Sequence, residues 1–373
     1  MKVGVFTYGM NQHFTGIARY AVNLTREMAK LDESLEITLL NPYPDSPHPW
    51  YQEFAGYPLR NLRLVPMAAT LGNWSLHRAA VALDLDILHD PCGIAPFVWP
   101  TPRRKYQRVV TVHDAISLVT PEVQPLATRM IFNTLIPATR RTADAIITVS
   151  QAAADDLVKY ANLPADKITV TPNGVDPAMQ LRDAEIRKAL NNLEVDGSYI
   201  LYVGNLAPRK NLSRVLDAFD AVRNRGQDVK LVIVGAKNWR ANEIISKAKH
   251  LDSVIFTGYV DEPSLHALYY GATLLAFPSL YEGFGLPALE AMVHGTPVLA
   301  STASSLPEIV GDAGVLVDPE STDAIAEGMM KLLSDESERQ RLVALGYERA
   351  QQFTWEETAK GTLELYHSLL SSQ

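Results

Sequence analysis

At 373 residues the chain is long for a single hydrophobic core and suits two domains of ordinary size. Its 47% hydrophobic and 20% charged residues are the balance of a folded protein, and a net charge of −8 argues against nucleic acid as the main partner, since phosphate backbones call for basic faces. One cysteine, Cys92, excludes an intrachain disulfide and a cysteine-cluster metal site, and no apolar run reaches the ~20 residues that span a bilayer.

The charge is unevenly placed. Residues 1–180 carry 16 Lys/Arg against 16 Asp/Glu, so the remainder, with 18 against 26, holds the whole excess. Met1 to Gly9 turns polar too soon for a signal peptide, and the expected location is cytoplasmic, with any membrane met peripherally at its inner face.

Residues 2–7 read as an opening strand, 8–16 as a polar loop, and Gly16–Leu31 as a helix with apolar Ile17, Tyr20, Ala21, Leu24, Met28 and Leu31 on its period. Gly16 suits either close approach of a ligand or a tight turn. Strand-like pieces recur at 35–40, 62–65, 86–89, 109–113 and 145–149 with helical patterns between them, which implies parallel crossovers and a doubly wound sheet. Ligands of such sheets gather at the carboxyl ends of the strands, where His113 and Asp114 stand. A lone histidine is more often structural, but the end of a buried strand is a better place than most. Ser150 reads as the cap of a helix over 151–160. Tyr43, Trp50, Tyr51 and Trp74 suit stacking on sugar faces and equally suit packing. The basic run 103–108 reads as a solvated loop before it reads as a membrane or anionic-acceptor contact.

Pro172-Asn-Gly marks a turn out of a strand, and the crossing to a second domain is set just after it, with a helix near 184–193. Alternation then restarts: strands 199–203, 230–234 and 254–257, with helices 212–223, 241–250 and 264–271. Arg209 and Lys210 stand beyond the first of these strands, where two fixed cations could hold a diphosphate and neutralise it as a leaving group. A strand at 273–277 leads into Tyr281-Glu-Gly-Phe-Gly-Leu-Pro-Ala-Leu-Glu-Ala, with Pro287 in the first turn of a helix. Gly283 and Gly285 let backbone pass close to a ligand, and the helix start favours a phosphate. Glu282 lies before the helix and Glu290 within it, so they do not share one helix face. Residues 304–319 read as a loop and strand, followed by helices 322–333, 336–352 and a last one capped by Thr354.

Glu282 and Glu290 in that setting resemble the hallmark motif of the retaining glycosyltransferases of family 4, which have the GT-B fold. Supporting pieces stand in the family's order: Gly16, His113-Asp114, Val149-Ser150, Pro172-Asn-Gly-Val-Asp, Gly204 with Pro208-Arg-Lys, and Leu306-Pro-Glu. The similarity covers nearly the whole chain and looks most like bacterial mannosyl- or rhamnosyltransferases of polysaccharide assembly.

The resemblance implies an α/β protein of two Rossmann-like doubly wound domains facing a cleft. Residues 1–180 would take the acceptor and 181–353 the nucleotide-sugar, while 354–373 would cross back as a C-terminal helix. It implies that Arg209 and Lys210 bind the donor diphosphate, that Glu282 contacts the transferred sugar with His113 nearby, and that Glu290 holds the ribose hydroxyls. Gly283, Phe284, Gly285 and Leu286 would line sugar and phosphate, with Gly16, Asn205 and Val260 completing the donor-binding set. Some relatives carry arginine where this chain has Asn205, and that role would pass to Arg209. No cofactor or metal is expected, since two cations do a metal's work. The donor would be a GDP-sugar ahead of UDP or dTDP, the sugar mannose-like, the acceptor a glycan or lipid-linked saccharide. Retention could come by same-face attack, the favoured route, or by a covalent carboxylate intermediate. Other readings are a nucleotide-sugar binding protein without turnover, an epimerase on the same fold, and a Rossmann oxidoreductase. The last lacks a Gly-x-Gly-x-x-Gly after the first strand.

Overall fold

The computed structural model describes every residue except 11–15, 94–96, 98, 102–103, 122–125, 237–240, 249, 252 and 372–373, with backbone alone at 65, 66, 69, 127, 128, 131 and 241. Arg103, in the basic run, thus lies outside the described residues. Chain contacts divide the molecule into Met1–Gly174 with Phe353–Gln373, and Val175–Gln352.

The first unit holds seven parallel strands: Lys2–Phe6 (β1), Glu36–Asn41 (β2), Ala55–Pro58 (β3), Ile87–Asp90 (β4), Gln107–Thr111 (β5), Ala145–Thr148 (β6) and Ile168–Val170 (β7). Their order is β3-β2-β1-β4-β5-β6-β7. The chain reverses its direction of travel across the sheet between β1 and β4, which opens a crevice at the carboxyl ends there. Central strands such as β4 and β6 are buried at every position, as a sheet covered on both faces requires.

The strand expected over 62–65 is absent. Val65–Ala82 is a helix with Pro66 in its first turn, and proline with its fixed φ starts a helix readily. The edge strand that periodicity missed is Ala55–Pro58, exposed and weak in strand formers, held by main-chain register with β2 (Thr38 opposite Ala55, Asn41 opposite Pro58). Ser150 does cap the helix Gln151–Ala161, its Oγ accepting from the Ala153 amide at 3.1 Å.

The last helix, Trp355–Ser371, packs on Gly16–Leu31 inside this unit. Thr354 caps it, accepting from the Glu357 amide at 3.2 Å, and Thr358 Oγ1 donates to Pro172 O at 2.6 Å. Deeper, the fully buried His89 joins Thr111 Oγ1 (2.8 Å) through Nε2 and Tyr366 OH (2.6 Å) through Nδ1.

Burial pushes the His89 imidazole down to about 3. As pH falls from the ordinary histidine value near 6.5, the unfolded chain takes up the proton first, so this stabilisation is present above that value and lost on the way down. Stability is therefore expected to fall with acidification over this window, by up to roughly 1.4 kcal/mol per pH unit, and the melting temperature with it. His89→Gln, neutral throughout, should flatten the slope in a thermal melt series; an unchanged slope would assign acid lability to other groups.

The second unit repeats the architecture with Tyr199–Val203 (β8), Lys230–Val234 (β9), Val254–Gly258 (β10), Leu274–Phe277 (β11), Val298–Ser301 (β12) and Gly314–Val317 (β13). The order β10-β9-β8-β11-β12-β13 puts the reversal between β8 and β11. Helix Leu212–Asn224 buries Leu212, Val215, Leu216, Phe219 and Val222 at helical spacing against the sheet. Residues 306–310, expected as loop, form the short helix Leu306–Val310, again with proline in its first turn.

Candidate functional site

Because β8 and β11 are sheet neighbours, the turns at their carboxyl ends meet. The turn after β8 contains a single 3-10 turn, Pro208–Lys210, closed by Asn211 in the left-handed conformation at φ 62°. Asn211 Nδ2 donates to Pro278 O (2.9 Å) and Pro319 O (2.7 Å), and the Leu280 amide donates to Arg209 O at 2.8 Å. These bonds stitch the cation-bearing turn to the one after β11.

That stitching brings three of the sequence-derived residues together. Lys210 Nζ lies 2.7 Å from Glu282 Oε1, and Arg209 Nη1 lies 2.9 Å from Oε2. Lys210 Nζ also stands 4.7 Å from the centre of the Phe277 ring, a favourable place for a cation. Burial alone would push the Glu282 carboxyl up, but the cations outweigh it and hold it below the ordinary carboxylate range. Burial likewise pulls the Lys210 ammonium down, opposed by Glu282. Two cations around one carboxylate leave the cluster one positive charge in excess, in a setting of low dielectric where that charge acts strongly. Glu282, the residue expected to contact the transferred sugar, is 8% exposed and held inside this ion triad.

Gly283, Phe284, Gly285 and Leu286 carry the chain from Glu282 into helix Leu286–Val293. At Gly285 (φ 132°) an L side chain would be strained, and a Cβ would lie 2.8 Å from Leu306 Cδ2 in helix Leu306–Val310, so the turn packs closely on that helix. Glu290, in that helix, accepts from Tyr269 OH at 2.8 Å through Oε2. Its main-chain oxygen takes the His294 Nδ1 proton at 2.6 Å.

Residues that sequence reasoning passed over fix this turn. Ser304 Oγ lies 2.8 Å from both the amide and the carbonyl oxygen of Glu282. Ser305 Oγ reaches Glu282 O at 2.9 Å and Phe284 O at 2.5 Å. Ahead of a proline-led helix Ser305 looks like a cap, yet it makes no cap bond; its hydroxyl serves the turn instead. Ser304-Ser305 before Leu-Pro-Glu was a visible signal whose partner lies more than twenty residues away. Ser305→Ala is expected to leave a turn carbonyl unsatisfied, costing about 1–3 kcal/mol of stability. A roughly tenfold fall in kcat/KM should accompany it, the kinetic equivalent of about 1.4 kcal/mol. Melts and steady-state kinetics test this, and unchanged kinetics would reduce the serine to scaffolding.

The other sequence-derived positions are placed as follows. Asn205 is exposed on the turn after β8, and Val260 is half-buried beyond the edge strand β10, two strands from β8. Gly16 opens the helix Gly16–Leu31 of the first unit. His113, also in that unit, donates from Nε2 to Pro91 O at 2.8 Å and meets the Tyr20 ring edge-on at 4.9 Å. Burial lowers its pKa, which favours a neutral ring. It lines a cavity of about 180 Å³ with Ile17, Cys92, Gly93, Asp114 and Ser117. Of the four aromatics considered for sugar stacking, Trp50 is fully buried core and Trp74 is exposed. Tyr51 OH points to Thr7 O at 3.4 Å, and Tyr43 OH donates to Arg63 O at 3.2 Å. The Asp-x-Asp triplet Asp84-Leu85-Asp86, a spacing that can hold a divalent metal, precedes β4 at its amino end, where Asp86 accepts from the Lys2 amide at 2.7 Å.

Comparison with known proteins gives two family matches in tandem, "Glycosyltransferase Family 4" over residues 14–179 and "Glycosyl transferases group 1" over 183–349. The O-antigen chain mannosyltransferase B of Escherichia coli is 30% identical, covering 99% of this chain and 100% of its own length. An MMP alpha-(1->4)-mannosyltransferase of Mycolicibacterium hassiacum is 27% identical across 100% of this chain and 99% of its own. Among solved structures, sucrose-phosphate synthase of Thermosynechococcus elongatus superposes with a TM-score of 0.79 at 22% identity, over 100% of both chains. Anabaena HepE, solved with UDP-glucose, gives 0.76 at 19% identity over 100% of both chains.

Proposed function

The chain belongs to glycosyltransferase family 4, with the GT-B fold, and from that footing we propose that it is a retaining, metal-independent hexosyltransferase that moves a mannose-like sugar from a nucleoside-diphosphate donor to a glycan or lipid-linked acceptor. The ion triad of Arg209, Lys210 and Glu282 at the β8/β11 reversal carries this reading. Mannosyl transfer is supported by the two full-length relatives with that activity in their names. A GDP-hexose stands first as donor, with UDP- and dTDP-hexoses the comparison set, since HepE was solved with UDP-glucose.

The excess positive charge of the triad suits a diphosphate, with Arg209 and Lys210 binding it and Glu282 directed to the sugar. Asn205, Val260 and the backbone of Gly283 to Leu286 line the donor, and Glu290, aimed by Tyr269, takes the ribose hydroxyls. Gly16 and His113 serve from the first unit, which takes the acceptor. In the transfer, the bond from the anomeric carbon to the phosphate oxygen breaks with its electrons going to phosphate. The acceptor hydroxyl attacks from the same face, and its proton passes to the departing oxygen. Arg209 and Lys210 stabilise the charge that develops there, a contribution greater in the transition state than in the bound donor. The reaction takes place in the cytoplasm, with the enzyme peripheral at the inner membrane face when its acceptor is lipid-linked.

A panel of nucleotide-sugars in thermal shift, followed by transfer assays with the donor that raises the melting temperature most, tests the proposal, since bound ligand stabilises in step with affinity. A GDP-hexose is expected to lead and to release its nucleotide when an acceptor is added, with the new linkage keeping the donor's anomeric configuration. No shift and no turnover with any nucleotide-sugar would end the reading.

A further inference from the structure

Two helices of the second unit meet over a pair of histidines that the transfer chemistry does not use. Helix Glu262–Gly271 carries His266, Tyr269 and Tyr270, the tyrosines three and four residues beyond the histidine and so on its face. His294 closes helix Leu286–Val293, which carries Glu290. Its imidazole lies between the two tyrosines, stacked on Tyr269 (ring centres 5.2 Å apart, planes at 23°) and edge-on to Tyr270 (4.7 Å, 74°). His266 Nδ1 lies 2.6 Å from His294 Nε2, and His294 Nδ1 donates to Glu290 O at 2.6 Å.

A histidine at a helix end commonly serves as a cation toward the last carbonyls. This one is 5% exposed, and burial pushes its pKa down to about 4, so at neutral pH the ring carries one proton. The carbonyl of Glu290 can only accept, which places that proton on Nδ1 and leaves Nε2 to accept from His266 Nδ1. At 3.3 Å the Met179 amide also faces His266 Nδ1, a longer contact than the one between the rings. The ring of His294 is thus fixed at both nitrogens, and it supports in turn the ring stacked on it. Tyr269 is held through its carbonyl, which accepts from Thr296 Oγ1 at 2.6 Å, and its hydroxyl reaches Glu290 Oε2 at 2.8 Å. Removing the imidazole leaves one face of the Tyr269 ring unsupported, and with it the hydroxyl that orients the carboxylate.

We propose that His294, braced by His266, is a positioning residue for the nucleotide-sugar, holding Tyr269 and through it the Glu290 carboxylate in the orientation that takes the ribose hydroxyls. The ribose contact of Glu290 given under the proposed function is the premise on which this rests, and the measurements separate the two. Calorimetry compares GDP with 2′,3′-dideoxy-GDP, or the corresponding pair for whichever base leads the nucleotide-sugar panel, on parent and variants. The ratio of the two affinities reports the ribose contact alone, because damage to the fold or to the diphosphate site weakens both ligands together. The parent is expected to prefer GDP by at least about tenfold, the scale of hydrogen bonds to a charged group, and Glu290→Ala to abolish the preference. His294→Ala and His266→Ala should each reduce it by about threefold, the scale of one side chain released from a fixed rotamer. His266→Asn, whose amide nitrogen stands where Nδ1 does, should retain most of it. His266 is only half-buried, so its variants decide the matter even where His294→Ala fails to fold. A preference lost in Glu290→Ala but kept in full by the histidine-to-alanine variants would overturn the positioning role and leave that of Glu290 in place. No preference in the parent would overturn both.

Discussion

Lys210→Ala is expected to lower kcat/KM by about 10²–10³-fold, the scale on which removing one preorganised electrostatic contact slows related chemistries. The side chain is almost wholly buried, with its ammonium 2.7 Å from Glu282. Deleting one member of a buried ion pair costs about 3–5 kcal/mol when the other charge is left without a partner; Glu282 keeps Arg209 at 2.9 Å, so the cost here should fall below that range. Activity loss in the single variant therefore mixes chemistry with stability. The double variant Lys210→Ala/Glu282→Ala resolves the two. With both buried charges gone, only the partly exposed Arg209 is left without its carboxylate, so stability should return in part, while turnover stays lost because neither the proposed phosphate contact nor the proposed sugar contact is restored. Steady-state kinetics alongside urea midpoints on the two singles and the double measure this. Near-parental kcat/KM in Lys210→Ala would remove the triad from the mechanism. Acid should act in the same sense on Glu282: its depressed pKa contributes stability above the ordinary carboxylate range, and that contribution is lost as pH falls through the lowered value.

Gly235→Ala is the second large effect, and it works from behind the site. Gly235 follows β9 at φ 151°, where an L side chain is strained, and a Cβ there would lie 2.0 Å from Gly204 O and 2.6 Å from Gly204 C. Both obstacles are backbone, so no rotamer can yield. Gly204 is bound to β9 through Val234 O at 2.9 Å, and Gly235 to β10 through Gly258 O at 2.9 Å, so relief must open the ladder at one side or push Gly204 outward. Gly204 leads into the turn bearing Arg209 and Lys210. A displacement of about 1 Å there is enough to cost about 10²-fold in rate. A loss of several kcal/mol in stability is the expected companion, of the order that forced backbone strain produces. Circular dichroism melts and the nucleotide-sugar thermal shift check it. A variant with parental melting temperature and donor response would mean that β9 and the Gly204 turn separate without cost, contrary to their close packing.

Much of the fold was legible because a sheet covered on both faces needs continuous apolar strands. Tyr199–Val203 and Lys230–Val234 stand where the apolar runs placed them, and Gly16–Leu31 where the helical spacing did. Reading failed where main-chain pairing, not side-chain burial, makes the element. Ala55–Pro58 is a strand because Glu36–Asn41 offers it a hydrogen-bonding edge, and nothing in Ala-Gly-Tyr-Pro announces that. The apolar residues at 62–65 went into a 3-10 turn and a helix start because proline follows them.

The site divides in the same way. Local sequence identified Arg209 and Lys210 as cations suited to a diphosphate, the family resemblance pointed to Glu282 and Glu290, and turns, caps and periodicity, which act over a few residues, fixed each to the end of a strand or the start of a helix. That Glu282 sits between two cations, that serines from beyond β12 clamp its turn, and that Tyr269 aims Glu290 was decided only by the tertiary structure. The reason is topological: β8 and β11 lie side by side though two strands and their helices separate them along the chain, and no periodic signal reports which strands become neighbours.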